Sequence, residues 1–158
     1  MTDPFAAMSF CYPWRDYQAA VLASLDTHLE DAKLHVSAAP GAGKTVLGLE
    51  VMRRIGKPTL ILAPSIAIRN QWIDRLVELF LPEGADTGWI TTDLKAPKTV
   101  TVATYQALYT DCDAEALKAL RIRVVVLDEA HHLRKAWWEV LDQTVEALEA
   151  KTVALTAT

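Results

Sequence analysis

The chain has 158 residues, which is enough for one domain with a sizeable hydrophobic core and leaves little room for a second domain. Hydrophobic residues make up 51% of it and charged residues 23%, a composition typical of a globular protein that excludes a disordered or fibrous one. The net charge of −4 gives no overall basic surface, so any contact with nucleic acid must be local.

The chain begins with an irregular pattern and then alternates between strands and helices. Residues 1–13, punctuated by prolines, predict an irregular lead-in to a domain at 14–158. Helical spacing then runs from Arg15 to about Leu29, with Asp16 as a candidate N-cap. The predicted strands are Leu34–Ser37, Thr59–Ala63, Gly88–Thr91, Thr99–Ala103, Ile122–Leu127 and Lys151–Leu155. The further predicted helices are Val46–Ile55, a helix opened by Pro64-Ser65 and ending at Phe80, Tyr105–Tyr109, Ala114–Leu120 and Trp137–Leu148.

This order predicts an α/β fold, a three-layer sandwich in which helices cover both faces of a mainly parallel sheet. Ligands of such sheets bind at the carboxyl ends of the strands. The glycine-containing loop after the first strand, Pro64-Ser65, Thr104 and Asp128 each follow a predicted strand directly. We therefore expect these segments to gather at one edge of the sheet and form one site.

The stretch Ala38–Thr45 has the strand–glycine loop–helix order of a phosphate-binding loop. Its glycines allow close approach of a phosphate, and the N–H groups that open the next helix can bind an anion. Lys44 is predicted to contact the β- and γ-phosphates, and Thr45 to bind Mg²⁺. The alternative is an ordinary glycine-rich turn beside a lysine. The candidate phosphate-binding residues are Pro40, Gly41, Ala42, Gly43, Lys44 and Thr45.

Two acidic residues, Asp128 and Glu129, follow the most apolar strand of the chain. An acid there is costly unless it meets a cation or hydrogen-bond donors. In a nucleoside triphosphatase the first acid holds Mg²⁺, largely through water, and the second can deprotonate the attacking water. The alternative, that Asp128 caps the next helix, leaves the second acid and the following His131-His132 unexplained. The pair and the glycine loop together indicate a nucleoside triphosphatase.

Three segments resemble motifs I, II and III of superfamily 2 helicases and translocases: Ala38–Thr45, Asp128–His131 and Thr156–Thr158. Motif I begins with alanine in that family, so Ala38 matches it. The doubled histidine and the segment Ala103–Gln106 are most similar to the branch with restriction-enzyme motor subunits and DNA translocases. The resemblance covers residues 14–158 and implies the first RecA-like motor domain, with ATP and Mg²⁺ as cofactors and DNA rather than RNA as partner.

The resemblance also implies roles for single residues near the nucleotide. Arg15, Tyr17 and Gln18 belong to an upstream segment that contacts the adenine, with Gln18 at the base edge. Tyr17 can equally be an aromatic residue of helix packing. Thr156, Thr158 and His131 would couple the nucleotide site to a second domain. The candidate catalytic residues are Lys44, Asp128, Glu129 and His131.

Two further segments resemble family motifs that contact the sugar–phosphate backbone of nucleic acid. Their candidate binding residues are Pro64, Ser65, Arg69, Thr104, Tyr105 and Gln106. Arg69 can equally be a solvated surface charge. Trp72 lies at an apolar helical position, which is more typical of a core residue than of a base-stacking one.

The family has two motor domains, and the resemblance covers the first. The second normally supplies an arginine finger, which is worth ~10³–10⁵ in rate. We therefore expect this chain alone to hydrolyse ATP very slowly, with the second RecA-like domain of a parent protein as its partner. The alternatives are the motor part of a restriction-type translocase subunit, and a module that binds nucleotide or nucleic acid without hydrolysis.

The compartment is predicted from the cysteines and from the absence of long apolar runs. Cys11 and Cys112 are far apart in sequence and form no CxxC pair, so they predict free thiols in a reducing compartment. No apolar run approaches the ~20 residues of a membrane span, and residues 1–13 do not resemble a secretory signal. We expect a cytoplasmic protein with no membrane partner.

Overall fold

Strands and helices alternate along the chain in a computed structural model that describes residues 3–38 and 43–157, apart from the side chains of His132 and Ala157. The strands are β1 (Lys33–Ala38), β2 (Thr59–Ala63), β3 (Ile90–Thr91), β4 (Val100–Thr104), β5 (Val124–Asp128) and β6 (Lys151–Ala157). The α-helices are α1 (Asp16–Asp26), α2 (Lys44–Ile55), α3 (Ile66–Phe80), α4 (Tyr105–Asp111), α5 (Ala114–Ala119) and α6 (Lys135–Leu148). Short 3₁₀ helices lie at Pro4–Ala7 and Ala130–His132.

The strands form one sheet in the order β1-β6-β5-β2-β4-β3, and every pair in it is parallel. Strands β2, β4 and β5 are buried at every position, because helices cover both of their faces. The edge strand β1 instead alternates between exposed and buried residues. The predicted α/β sandwich with a mainly parallel sheet is confirmed.

Two hydrophobic clusters make up the layers on either side of the sheet. The first joins α1, α2 and α3 to one face, with Leu22, Leu47 and Trp72 among its fully covered residues. The second joins α4, α5 and α6 to the other face through Leu108, Leu117 and other apolar side chains. No helix within residues 3–38 and 43–157 has the length and apolar character needed to cross a membrane.

Several boundaries differ from the prediction for local physical reasons. Helix α1 ends at Asp26 and not near Leu29, because Thr27 and His28 bond three residues back, to Ser24 and Leu25, in a tightened last turn. The N-cap of α1 is Arg15 and not Asp16. Strand β3 has two residues where four were predicted. The lead-in is not wholly irregular, since its 3₁₀ helix buries Phe5 against the first cluster.

A buried carboxylate connects α2 to α1. Glu50 is 2% exposed and accepts hydrogen bonds from Arg53 Nη2 at 2.6 Å and from Arg54 Nε at 2.7 Å. Arg54 also donates to Asp26 Oδ2, 2.6 Å away at the end of α1. Burial alone would raise the pKa of Glu50, but the two guanidinium groups outweigh it and hold that pKa below its ordinary value.

Glu50→Gln should lower the free energy of unfolding at neutral pH by about 1.5–3 kcal/mol, since it weakens hydrogen bonds between charged groups. The folded-state pKa of Glu50 is depressed, so its contribution is present above the unfolded pKa of about 4.3 and disappears as the pH falls through the folded value. Acidification should therefore reduce the difference between wild type and variant. Urea unfolding at a series of pH values measures this. Glu78→Gln, which changes an exposed carboxylate of α3, is the control. Equal stability of Glu50→Gln and wild type at neutral pH would contradict the prediction.

Candidate functional site

The carboxyl ends of the parallel strands bring the predicted motifs to one edge of the sheet. Ala38 ends β1, Ala63 ends β2, Thr104 ends β4 and Asp128 ends β5. In the sheet order, β6 separates β1 from β5, and Ala38 is level with Ala157 of β6. The gathering expected from the strand order is therefore observed for every segment within the described residues.

Helix α2 begins at this edge and carries the predicted phosphate-binding end of the glycine loop. Gly43 caps α2 with a φ of 80°, a left-handed conformation that glycine adopts without steric cost. Lys44 and Thr45 form the first turn, where backbone N–H groups have no intrahelical acceptors. The predicted contacts of Pro40, Gly41 and Ala42 lie outside the described residues.

Lys44 meets both acids of the second motif. Its Nζ lies 2.5 Å from Glu129 Oε1, to which it donates a hydrogen bond, and 2.7 Å from Asp128 Oδ1. Burial alone would lower the pKa of Lys44, but the close contacts with the two carboxylates and their negative charges raise that pKa above its ordinary value. The ammonium group therefore stays charged at the centre of the site.

The carboxylate of Asp128 is 2% exposed and is held unequally at its two oxygens. Oδ2 accepts a hydrogen bond from Trp72 Nε1 at 2.9 Å. Among the described residues Oδ1 has no assigned hydrogen-bond donor, and its charge is met by the Lys44 ammonium 2.7 Å away as an ion pair. A buried anionic oxygen without a donor is suited to a cation. The alternative that Asp128 caps the next helix is wrong, since Glu129 takes the cap position of Ala130–His132.

Glu129 has a strained backbone beside this carboxylate. Its φ of 54° is left-handed and costs a non-glycine residue of order 1 kcal/mol. Its N–H donates to Leu155 O at 3.0 Å, and its Oε2 lies 3.3 Å from His131 Nε2. Strain of this kind clusters at functional sites. The predicted catalytic residues Lys44, Asp128, Glu129 and His131 thus form one connected group.

A cavity of about 480 Å³ opens beside the start of α2. Arg15, Gln18, Gly43, Lys44 and Thr45 line it, which joins the predicted adenine segment to the phosphate end. Gln18 is 6% exposed, and a Cβ at Gly43 would lie 2.7 Å from Gln18 Nε2, so a side chain at Gly43 would displace the Gln18 amide. Tyr17 is 39% exposed and lies outside the lining of this cavity.

The cavity is also lined by residues that the sequence analysis does not assign to the site. Phe10 and Tyr12 come from the lead-in, with ring centroids 6.0 Å apart. Gln71 and Arg75 come from α3. The four-residue spacing of Gln71 and Arg75 places them on one helix face, a signal that was present in the sequence. The aromatic residues gave only weak signals, because they precede the first periodic segment.

The predicted nucleic-acid residues open α3 and α4. Ser65 Oγ caps α3 by accepting from Ile68 N at 3.2 Å, and Thr104 Oγ1 caps α4 in the same way, with Ala107 N 3.0 Å away. The exposure of the six differs: Pro64, Ser65 and Gln106 are exposed, Arg69 is half-buried, and Thr104 and Tyr105 are buried.

Two of these predicted residues have other contacts. Tyr105 is 2% exposed and its hydroxyl donates to Asp128 O at 3.0 Å, so its ring is not available for a direct contact with nucleic acid. Arg69 donates to the side chain of its neighbour Asn70 at 3.0 Å from Nη2. In the third motif, Thr156 Oγ1 lies 3.3 Å from His35 Nε2, and Thr158 lies outside the described residues.

Residues 12–158 match the protein family described as "Type III restriction enzyme, res subunit". The chain is 28% identical to the "DNA 3'-5' translocase XPB2" of Sulfurisphaera tokodaii over 89% of its own length and 30% of the relative's. It is 30% identical to the "DNA 3'-5' helicase XPB" of Mycobacterium tuberculosis over 75% of its own length and 22% of the relative's. The chain therefore spans less than a third of either relative.

The fold is similar to that of the UvsW helicase from bacteriophage T4. The TM-score is 0.69 at 15% sequence identity, over 93% of this chain and 54% of the phage protein, so this likeness concerns the fold alone. The parallel sheet, the edge at which its motifs meet and the family match over nearly the whole chain agree with one another. The chain belongs to the family of the type III restriction enzyme res subunit, within the superfamily 2 helicases, and has the RecA-like fold of their first motor domain.

Proposed function

We propose that this chain is the ATP-binding and ATP-hydrolysing N-terminal motor domain of a superfamily 2 DNA helicase or translocase. The observation that carries the proposal is the contact of Lys44, in the first turn of α2, with Asp128 and Glu129 at the end of β5. The cavity from Lys44 to Gln18 is of a size that suits a small-molecule ligand. A phosphate group at the start of α2 and a base near Gln18 would occupy its two ends.

The residues of the site support a division of roles in hydrolysis. Lys44 would exchange its carboxylate partners for the β- and γ-phosphates, since an ammonium group binds phosphate as a point charge. Glu129, thereby released from Lys44, would orient a water molecule and accept its proton. His131, 3.3 Å from Glu129, would hold the orientation of that carboxylate.

A divalent cation fits the donor set of this site. In the described part of the chain Asp128 Oδ1 is a buried anionic oxygen with no assigned hydrogen-bond donor, and the Thr45 hydroxyl lies in the first turn of α2. These two groups would hold Mg²⁺, with Asp128 acting largely through water. When bound, the ion neutralises charge on the phosphate oxygens.

A nucleic-acid partner is supported by the exposed starts of α3 and α4. Pro64, Ser65 and Gln106 are exposed at the same sheet edge as the nucleotide site, and Arg69 lies one turn into α3. The names of the two relatives described above specify DNA, which favours DNA over RNA for this chain. With a net charge of −4, the contacts would depend on backbone N–H groups and a few side chains.

The second RecA-like domain of a parent protein is the other proposed partner. The chain aligns with 30% of one relative and 22% of the other, so most of the length of each relative lies outside the aligned region. An arginine finger from that domain would complete the facing side of the nucleotide site, and the isolated chain would hydrolyse ATP very slowly.

The family description also supports the alternative of a restriction-type translocase subunit. Cys11 and Cys112 are both free thiols, which suits a cytoplasmic protein.

Lys44→Ala should weaken binding of a non-hydrolysable ATP analogue in the presence of Mg²⁺ by about 10- to 100-fold, because charge-assisted hydrogen bonds to phosphate are lost. Isothermal titration calorimetry measures the affinity, and the thermal midpoint of each variant shows that it is folded. Lys118→Ala removes an exposed charge of α5 and is the control. Equal affinity of Lys44→Ala and wild type would refute a phosphate role for this loop.

Gln18→Ala should reduce the preference for ATP over GTP, since a site that hydrogen-bonds a base rejects the wrong base by leaving polar groups unpaired. Competition of each nucleotide with a fluorescent ATP analogue gives the ratio of affinities. Gln18 Oε1 also accepts from Arg15 N at 3.0 Å at the start of α1, so a loss of stability must be separated from a loss of recognition. Gln18→Glu keeps the acceptor and loses the amide donor. A ratio that is the same in wild type and both variants would exclude Gln18 from base recognition.

Glu129→Gln should leave nucleotide binding intact and slow hydrolysis by about 10²–10⁴-fold, the usual contribution of a general base. Steady-state phosphate release by the full-length parent protein with DNA is the measurement. Glu139→Gln, at an exposed position of α6, is the matched control. If wild type and Glu129→Gln release phosphate at the same rate, the module binds nucleotide without hydrolysing it through Glu129.

A further inference from the structure

Trp72 has a polar contact that its apolar helical position does not predict. Its side chain is 0% exposed and belongs to the first hydrophobic cluster. Its indole Nε1 nevertheless donates to Asp128 Oδ2 at 2.9 Å, across 56 positions of sequence from α3 to β5. The other oxygen, Oδ1, lies 2.7 Å from Lys44 Nζ and has no assigned hydrogen-bond donor within residues 3–38 and 43–157.

We propose that Trp72 is a positioning residue that fixes the Asp128 carboxylate so that Oδ1 is presented to the divalent cation of the nucleotide complex. The inference rests on the proposed function, because it assigns to Asp128 the role of holding Mg²⁺. Trp72 itself touches neither nucleotide nor metal in this assignment.

The chemistry of the donor explains why an indole suits this position. A carboxylate can turn about its last bond, and a hydrogen bond to one oxygen fixes the direction of the other. A lysine or arginine at this place would neutralise Asp128 and reduce its attraction for a cation. An indole N–H donates one hydrogen bond and carries no charge, so the carboxylate keeps its full negative charge.

The packing around the indole leaves a space that fits this ring. Gly48 lies in the middle of α2, where glycine is less stable than alanine by roughly 0.5–1 kcal/mol. A Cβ at Gly48 would lie 2.7 Å from Cη2 of Trp72 and 2.6 Å from Cδ1 of Leu155. The same helix carries Lys44 in its first turn. The Trp72 ring therefore packs between α2, the helix of Lys44, and the carboxylate of Asp128.

A second aromatic donor holds the backbone of the same residue. The Tyr105 hydroxyl donates to Asp128 O at 3.0 Å. Burial, together with the charges of Asp128 and Glu129, raises the pKa of Tyr105, so the hydroxyl remains a neutral donor. Trp72 lies on the helix capped by Ser65, and Tyr105 opens the helix capped by Thr104. Both supports of Asp128 therefore come from helices that begin at the candidate nucleic-acid loops.

The test uses Mn²⁺ as the metal probe, because its free concentration can be followed by electron paramagnetic resonance. The affinity of Mn²⁺ for the complex of the protein with a non-hydrolysable ATP analogue is measured in wild type and Trp72→Phe. Loss of a partner that orients a metal ligand typically costs 10–100-fold in metal affinity, and we expect a loss of about that size. Nucleotide affinity in EDTA should be unchanged, since the base and phosphate contacts are intact.

The matched control is Trp89→Phe, which also removes an indole donor, the one that bonds to Asp86 O at 2.7 Å in an exposed loop. Its Mn²⁺ affinity should equal that of wild type. Circular dichroism shows whether Trp72→Phe is folded. If it is not, site-specific replacement of the Trp72 indole by benzothiophene removes the N–H and keeps the shape of the ring.

The outcomes separate this inference from the proposed function. Wild-type Mn²⁺ affinity in a folded Trp72→Phe or benzothiophene variant, with nucleotide binding that still depends on Lys44, overturns the inference alone. A loss of Mn²⁺ affinity of the same size in Trp89→Phe also overturns it. Nucleotide binding that does not depend on Lys44 overturns the proposed function and this inference with it.

Discussion

The burial of one carboxylate, that of Asp128 at the end of an apolar strand, is the constraint on which the rest of the site depends. Taking a carboxylate out of water costs several kcal/mol unless other groups compensate. Two partners of the side chain offset that cost, the Trp72 indole on Oδ2 and the Lys44 ammonium beside Oδ1, and Tyr105 binds the backbone carbonyl. These partners come from α3, α2 and α4. A parallel sheet can bring side chains from three helices to one strand end, because all its strands finish at the same edge.

Two locally unfavourable residues, Glu129 and Gly48, lie in segments that contribute to this site. Glu129 adopts a left-handed conformation directly after β5, which is costly for a residue other than glycine. Gly48 weakens α2 but leaves room for Trp72. The Glu129 N–H is nevertheless satisfied by Leu155 O, so the strained turn leaves no buried backbone donor unpaired. Local stability is reduced where the charged groups must meet.

The sheet and the charged residues could be predicted from the sequence, whereas the neutral supports of the site could not. Thr59–Ala63 was predicted with the observed bounds because a short apolar run beside proline is a strong strand signal. The sequence predicts Lys44 as a site residue because it ends a glycine loop between a strand and a helix. It predicts Asp128 because an acid directly after a fully apolar strand is unusual. Trp72 was interpreted as core, correctly, but periodicity does not show that its N–H reaches β5. The motif around Tyr105 predicts a contact with nucleic acid, whereas the ring is buried, because burial depends on how α4 packs and not on the motif.

The ion pairs of Lys44 indicate how charge would stay balanced if a nucleotide binds as proposed. Lys44 here has one ion-pair contact with each of two carboxylates, and its pKa is raised by them. An anionic phosphate that takes Lys44 away would leave Asp128 buried and unpaired, which is costly. A divalent cation arriving with the phosphate replaces the lost ammonium at Asp128, while Glu129, at 20% side-chain exposure, can be compensated by water. On the proposed function, metal and nucleotide are therefore bound more favourably together than either alone, and the direction of Asp128 Oδ1 sets how strongly the two are coupled.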